Sequence, residues 1–193
     1  MDNAAVKMIK DVDGHIQERF LQRDAPKKTP LDTFLKWSPF LVLFALEAKG
    51  LKTKNGIGQQ ALNIVAGEII LNAAVFPMKT TIRRMRPNGD NDKSFPSRHT
   101  ATSFLGSAIM HEELKQASPF LSCSGYVIAI ITGTLRIYHN KHWFSDVASG
   151  ALLGILAARL SKKVIEQFKN KKVIVGEMSS NYPANFTQWK ISE

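Results

Sequence analysis

Residues 79–100 read KTTIRRMRPNGDNDKSFPSRHT, and this stretch holds two of the three patterns on which fold and chemistry turn. Lys79 and Arg86 stand seven residues apart. On a continuous helix that is nearly two turns, so both cations would project from one face until Pro87 ends the helix. Asn88 to Asp92 (NGDND) is turn chemistry, with Asp90 and Asp92 as turn residues. Phe95 to Thr100 then leads from a polar loop into an apolar stretch, and Ser97 is placed to cap the helix that follows. Unpaired amides and the positive end of a helix dipole make such a position receptive to a phosphate oxygen, with His99 beside any anion bound there. Taken singly, these patterns also read as solvated cations on a basic helix and as a serine cap with an incidental histidine.

The third pattern lies further on, at Arg136 to Asp146 (RIYHNKHWFSD). His142 and Asp146 are four apart, so on a helix the carboxylate reaches the imidazole, fixes its tautomer and leaves the other nitrogen free as nucleophile or base. The plain alternative is a surface ion pair. Arg136 is out of register with His142 on one straight helix, and a break near Asn140 would let it turn inward.

In order along the chain the patterns are K-x6-R-P, P-S-x-H and R-x5-H-x3-D. This order resembles the phosphatidic acid phosphatase type 2 superfamily, which includes lipid phosphate phosphatases, bacterial non-specific acid phosphatases and vanadium-dependent haloperoxidases on a shared helical bundle. The resemblance implies an all-α fold with the active site at one end of the bundle. It implies hydrolysis of a phosphate monoester without metal or cofactor. His142 would attack phosphorus, Asp146 would steady the charged imidazole, and His99 would protonate the leaving group. Lys79, Arg86, Ser97, Arg98 and Arg136 would cradle the phosphate, the cations neutralising charge that spreads over its equatorial oxygens. Two positions depart from the family pattern: Arg98 replaces a glycine and Leu135 a serine. Arg98 still offers a backbone N–H, and its side chain adds a possible phosphate contact, but a positive φ there would strain it.

Around this core, residues 79–146, the chain reads as about six helices in one domain of 193 residues, with a tail over 170–193 to which no role is assigned. Ala4 to Leu21 and Leu31 to Ala48 have helical apolar spacing. Gln59 to Arg86 is apolar on most faces, with Pro77 inside it. Further helices are expected from Ser97 to Gln116, from Leu121 to about Tyr138, and from His142 past Ile165, and Lys172 to Val175 has the look of a short strand. Counting uncharged runs gives ten residues between Lys36 and Glu47, ten between Glu68 and Lys79 and twelve between Asp146 and Arg159. These suit buried helices of a soluble bundle better than spans, which need roughly 18 apolar residues or more. The uncharged run Gln116 to Leu135 is long enough, but Pro119 and its serines favour a central core helix.

Lys and Arg outnumber Asp and Glu by 26 to 16, a formal charge of +10, which attracts phosphates and acidic lipid surfaces. The cations are not gathered into a long basic run, which argues against a nucleic-acid partner. The lone Cys123 rules out an internal disulfide, and no His, Asp and Glu grouping has metal-ligand spacing. The first twenty residues lack the marks of a signal peptide, so an envelope location, periplasmic or peripheral to the membrane, would require a trimmed start. Apolar Ala73 to Pro77 before Lys79, and Trp143 and Phe144 beside His142, suggest a greasy wall fitted to a lipid or isoprenoid phosphate. The competing readings are a general acid phosphatase for small soluble esters, a vanadium haloperoxidase, and a non-catalytic anion or lipid-headgroup binder.

Overall fold

The computed structural model describes residues 4–21 and 31–180, and every regular element among them is an α-helix. They are α1 (Ala4–Leu21), α2 (Leu31–Ala48), α3 (Ile57–Ile82), α4 (Arg98–Leu114), α5 (Pro119–Tyr138) and α6 (Phe144–Ser180). The all-α expectation holds. The described residues divide into two compact units, one up to Ser161 and a second from Lys162 onward. Lys172 to Val175, expected as a strand, is part of α6, where helix propagation from the long preceding apolar segment outweighs a short β-branched run.

Element ends follow local chemistry. Gly50 takes φ 88° just past α2, a left-handed stop that costs glycine little. Pro119 opens α5 behind the Ser118 cap, where its missing N–H has no helical partner to lose. α3 is shorter than expected, because Arg83 adopts a left-handed conformation (φ 47°) and ends the helix four residues before Pro87. Arg86 therefore lies in a loop, and the shared helix face for Lys79 and Arg86 does not exist.

α4 is the centre of the main unit. Leu105, Met110 and Leu114 are wholly buried, packed with Phe40 and Leu43 of α2, Leu71 and Val75 of α3, and Ala157 and Ala158 of α6. The approach of α6 to α4 depends on missing side chains. A Cβ on Gly150 would lie 2.5 Å from the Ser97 carbonyl, and one on Gly154 would lie 2.2 Å from the Ala101 carbonyl. These are backbone clashes, so alanine at either position would push the start of α4 away from the start of α6.

The outer faces are apolar. Leu62, Val65, Ile69 and Phe76 of α3, Phe120, Val127 and Ile130 of α5, and Leu152 and Leu156 of α6 are all exposed. Ile57–Ile82, Pro119–Tyr138 and Phe144–Asn170 are each long and apolar enough to cross a membrane. The expectation that these are buried helices is corrected: their apolar stretches are mostly unburied, and the charged residues taken to end each apolar run do not end it. Glu68 does not end one: it lies mid-helix, partly buried, and accepts from Asn72 Nδ2 at 3.3 Å. Lys79 does not either, since it stands one turn from the end of α3 with its ammonium turned into the protein. A span tolerates charges so placed.

Candidate active site

With alternating helix directions, the end of α3, the start of α4, the end of α5 and the start of α6 fall at one end of the bundle. That is where the three sequence patterns meet. The backbone joins them directly: Ser97 N–H donates to the Asp146 carbonyl at 3.0 Å, and Asn88 N–H donates to the Asn140 carbonyl at 3.1 Å. An ion pair between Lys141 and Asp90 closes the same seam.

The loop between α3 and α4 is folded by its own polar groups. Arg86 N–H bonds the Asn91 carbonyl and its Nε bonds Asn91 Oδ1, both at 3.0 Å. Lys79 Nζ donates to the carbonyls of Lys93 (2.8 Å) and Pro96 (2.7 Å), so this cation braces the chain that leads into Ser97. Ser97 is fully buried and is the N-cap residue of α4, yet its hydroxyl pairs with Thr100 Oγ1 at 2.9 Å and makes no cap bond to a helix amide. Arg98 has an ordinary helical backbone and an exposed side chain, so the expected strain is absent. His99 follows it in the first turn of α4, partly buried.

α5 ends at Tyr138, and Asn140 takes φ 54°, which is the break required to turn Arg136 inward. The Arg136 carbonyl accepts from Lys141 N–H (3.0 Å) and His142 N–H (3.2 Å), folding the loop back on the helix end. His142 thus precedes α6 instead of beginning it. Its ring is 2% exposed, and Nδ1 lies 3.7 Å from Asp146 Oδ2, an ion-pair distance too long for a hydrogen bond. Burial above all, then the charges of Arg136, Arg86 and Lys79, push His142 down to about 4, against the upward pull of Asp146. At neutral pH the imidazole is therefore uncharged, the form that can act as a nucleophile.

Asp146 is wholly buried and held from three sides. Arg84 Nη1 donates to Oδ1 at 2.9 Å, while Oδ2 accepts from Trp143 N–H at 2.9 Å and from the Ser94 hydroxyl. Hydrogen bonds to a charged group contribute about 1.5–3 kcal/mol each, which offsets much of the cost of burying the carboxylate. Arg84 and Ser94 were absent from the sequence reading. Arg84 stood in the quoted stretch but was passed over because only the Lys79 and Arg86 spacing was weighed. Its guanidinium lies 5.3 Å from the centre of the Trp143 ring, and it also reaches Ser145 Oγ (2.6 Å) and Asp13 Oδ2 (2.6 Å).

Residues 60–169 match the family model described as the PAP2 superfamily. The chain belongs to the PAP2 superfamily. This PAP2 chain is 32% identical over 158 residues to a protein named lipid A 1-phosphatase from Porphyromonas gingivalis, a match that covers 81% of this chain and 36% of that protein. It therefore spans about a third of the length of that curated relative. Two solved structures share the fold. Aquifex aeolicus LpxE superposes with a TM-score of 0.55 at 21% identity, covering 76% of this chain and 93% of that one. A transmembrane PAP2 type phosphatidylglycerolphosphate phosphatase from Bacillus subtilis gives 0.58 at 22% identity, covering 83% and 87%.

Proposed function

We propose that this protein is a membrane-embedded phosphatase that hydrolyses a lipid phosphate monoester through a phosphohistidine, with no metal. One observation carries the reading: an uncharged, buried His142 beside a fixed Asp146, at one end of helices whose outer faces are apolar. Lys79, Arg86 and Arg136 supply the positive field, since all three charges reach His142. Ser97, with the amides of Arg98 and His99, completes the cradle, and the Arg98 guanidinium extends it outward. Lysine acts as a compact point charge, while each arginine fork engages two oxygens.

In the first step an imidazole nitrogen of His142 bonds to phosphorus as the ester P–O bond breaks. His99 gives its proton to the departing alkoxide. In the second step His99 takes a proton from water, whose oxygen attacks phosphorus and breaks the N–P bond, releasing inorganic phosphate. Asp146 stabilises the positive ring between the steps. The relative named a lipid A 1-phosphatase favours a lipid substrate over a small soluble ester.

The test is catalytic efficiency in mixed micelles, in EDTA, on lipid phosphomonoesters against p-nitrophenyl phosphate. We expect preference for the lipid, no loss to the chelator and inhibition by vanadate. Equal or better turnover of the soluble ester would leave a general acid phosphatase. The same reading sets the site toward the periplasm. Cys123 is exposed near the start of α5, at the end opposite the site, so it would be shielded from a membrane-impermeant maleimide in intact spheroplasts. Labelling there would reverse the orientation.

A further inference from the structure

Helix α1 lies outside the region matched by the family, residues 60–169, and its pattern of burial is inverted. Val6, Met8, Ile9 and Val12 are exposed by 42% or more, whereas Asp13 and Gln17, one turn apart, are 2% and 3% exposed. A carboxylate is buried only where its charge is answered, and among the described residues Asp13 is answered from the active-site end. Its Oδ1 accepts from Ser145 N–H at 2.8 Å, and its Oδ2 accepts from Ser145 Oγ and from Arg84 Nη2, both at 2.6 Å. The bonds are mutually consistent. The Ser145 hydroxyl gives its proton to Asp13 and receives Arg84 Nη1 on its oxygen at 2.6 Å. The same guanidinium spans Asp13 and Asp146. Gln17 Nε2 donates to Asn140 Oδ1, at the left-handed break that turns the chain toward His142.

We propose that α1 is a positioning element for the nucleophile: Gln17 and Asp13 hold the two ends of the segment from Asn140, in the loop, to Ser145, in the first turn of α6, and Asp13 sets the Asp146 carboxylate through Arg84. None of these groups touches the phosphate in this scheme. The effect on rate comes from geometry, since His142 and Asp146 stand 3.7 Å apart and small movements decide whether their hydrogen bond forms in the transition state. The proposal rests on the reading that His142 and Asp146 carry the reaction.

The experiment uses the full chain in detergent, with Asp13→Ala and the milder Asp13→Asn. It measures kcat and KM on a lipid phosphomonoester, together with amide hydrogen exchange. For Asp13→Ala we expect kcat to fall about tenfold to a hundredfold with KM changed less than about threefold, the range for a displaced supporting group. Asp13→Asn, which keeps the acceptor for Ser145 N–H, should recover part of the rate. Exchange should quicken at residues 139–146 and stay unchanged in the middle of α4. Adding Ser145→Ala to Asp13→Ala should cost little more, because both remove one network. A kcat within about twofold of wild type in Asp13→Ala, with unaltered exchange, would overturn the proposal. Faster exchange throughout α4 and α5 in both variants would also overturn it, by showing that Asp13 serves the whole fold. If the wild type turned over no phosphate ester, the phosphatase reading would fall, while the exchange pattern would still decide whether α1 holds the loop.

Discussion

Among the described residues, the most deeply buried helix is not the most apolar one. α4 buries Thr100, Thr102, Ser103 and Ser107 alongside Leu105 and Met110, whereas α3, α5 and α6 turn leucine, isoleucine, valine and phenylalanine outward. In water that arrangement would be costly, since each exposed large apolar side chain forgoes about 1.5–3 kcal/mol of burial. In hydrocarbon the cost vanishes, and what must be hidden is polarity. α4 meets the demand locally. The Ser107 hydroxyl, with one proton to give, lies between the Ser103 carbonyl at 2.8 Å and the Gly125 carbonyl at 2.7 Å, and Ser103 reaches Thr132 at 3.4 Å. The polar interior is thus continuous with the site at its end, and the proposed function sets that site at a membrane boundary because the exterior around it is apolar.

The comparison breaks most severely at the interior. His142→Ala should lower kcat by about 10⁴-fold or more, because no neighbouring group can take the phosphoryl group, while vanadate binding weakens much less through the surviving cradle. Steady-state kinetics in mixed micelles reads this directly. Substantial residual turnover would move the nucleophile elsewhere.

A charge on the exterior should do the opposite. Val127→Lys and Leu156→Lys lie on outward faces, and lysine in the middle of a span costs about 2.5–3.5 kcal/mol. Membrane yield should fall while kcat on a short-chain soluble ester stays near wild type in the protein that is recovered. Normal insertion of both variants would separate the apolar belt from the membrane.

The smallest effect is on pH. His142 sits at about 4 in the fold against an ordinary 6.5, so the unfolded chain takes up a proton first as pH falls. The stability that follows from the neutral ring is fully present above about 6.5 and is lost as pH drops toward 4. Thermal unfolding of wild type should weaken across that window more steeply than that of His142→Gln. Parallel curves would show that the ring titrates alike in both states.

The helices and the three patterns were legible because each is local: spacing, caps and the loop signal before Ser97 all act within a few residues. The break at Asn140 was legible for the same reason, since Arg136 could not otherwise face His142. Three things were not. The end of α3 at Arg83 depends on a left-handed residue with no glycine to announce it, and so the position of Arg86 was misjudged. The hold on Asp146 comes from Arg84 and Ser94, 62 and 52 residues away, and Asp13 reaches Ser145 across 132. No periodicity carries such pairings. The apolar belt was misread because charges were counted along the sequence, where Glu68 and Lys79 interrupt it, and not around the helix, where they turn aside.

The central claim is that the phosphoryl group passes through His142, and the direct measurement is to trap it there. Wild-type protein turning over a lipid phosphomonoester in EDTA is quenched in alkali, which preserves phosphohistidine, then digested and analysed by mass spectrometry. The account predicts a phosphoryl group on the peptide bearing His142 and none on that peptide from His142→Gln. A phosphoryl group on His99 or a serine, or brisk turnover with the His142 peptide never modified, would contradict it.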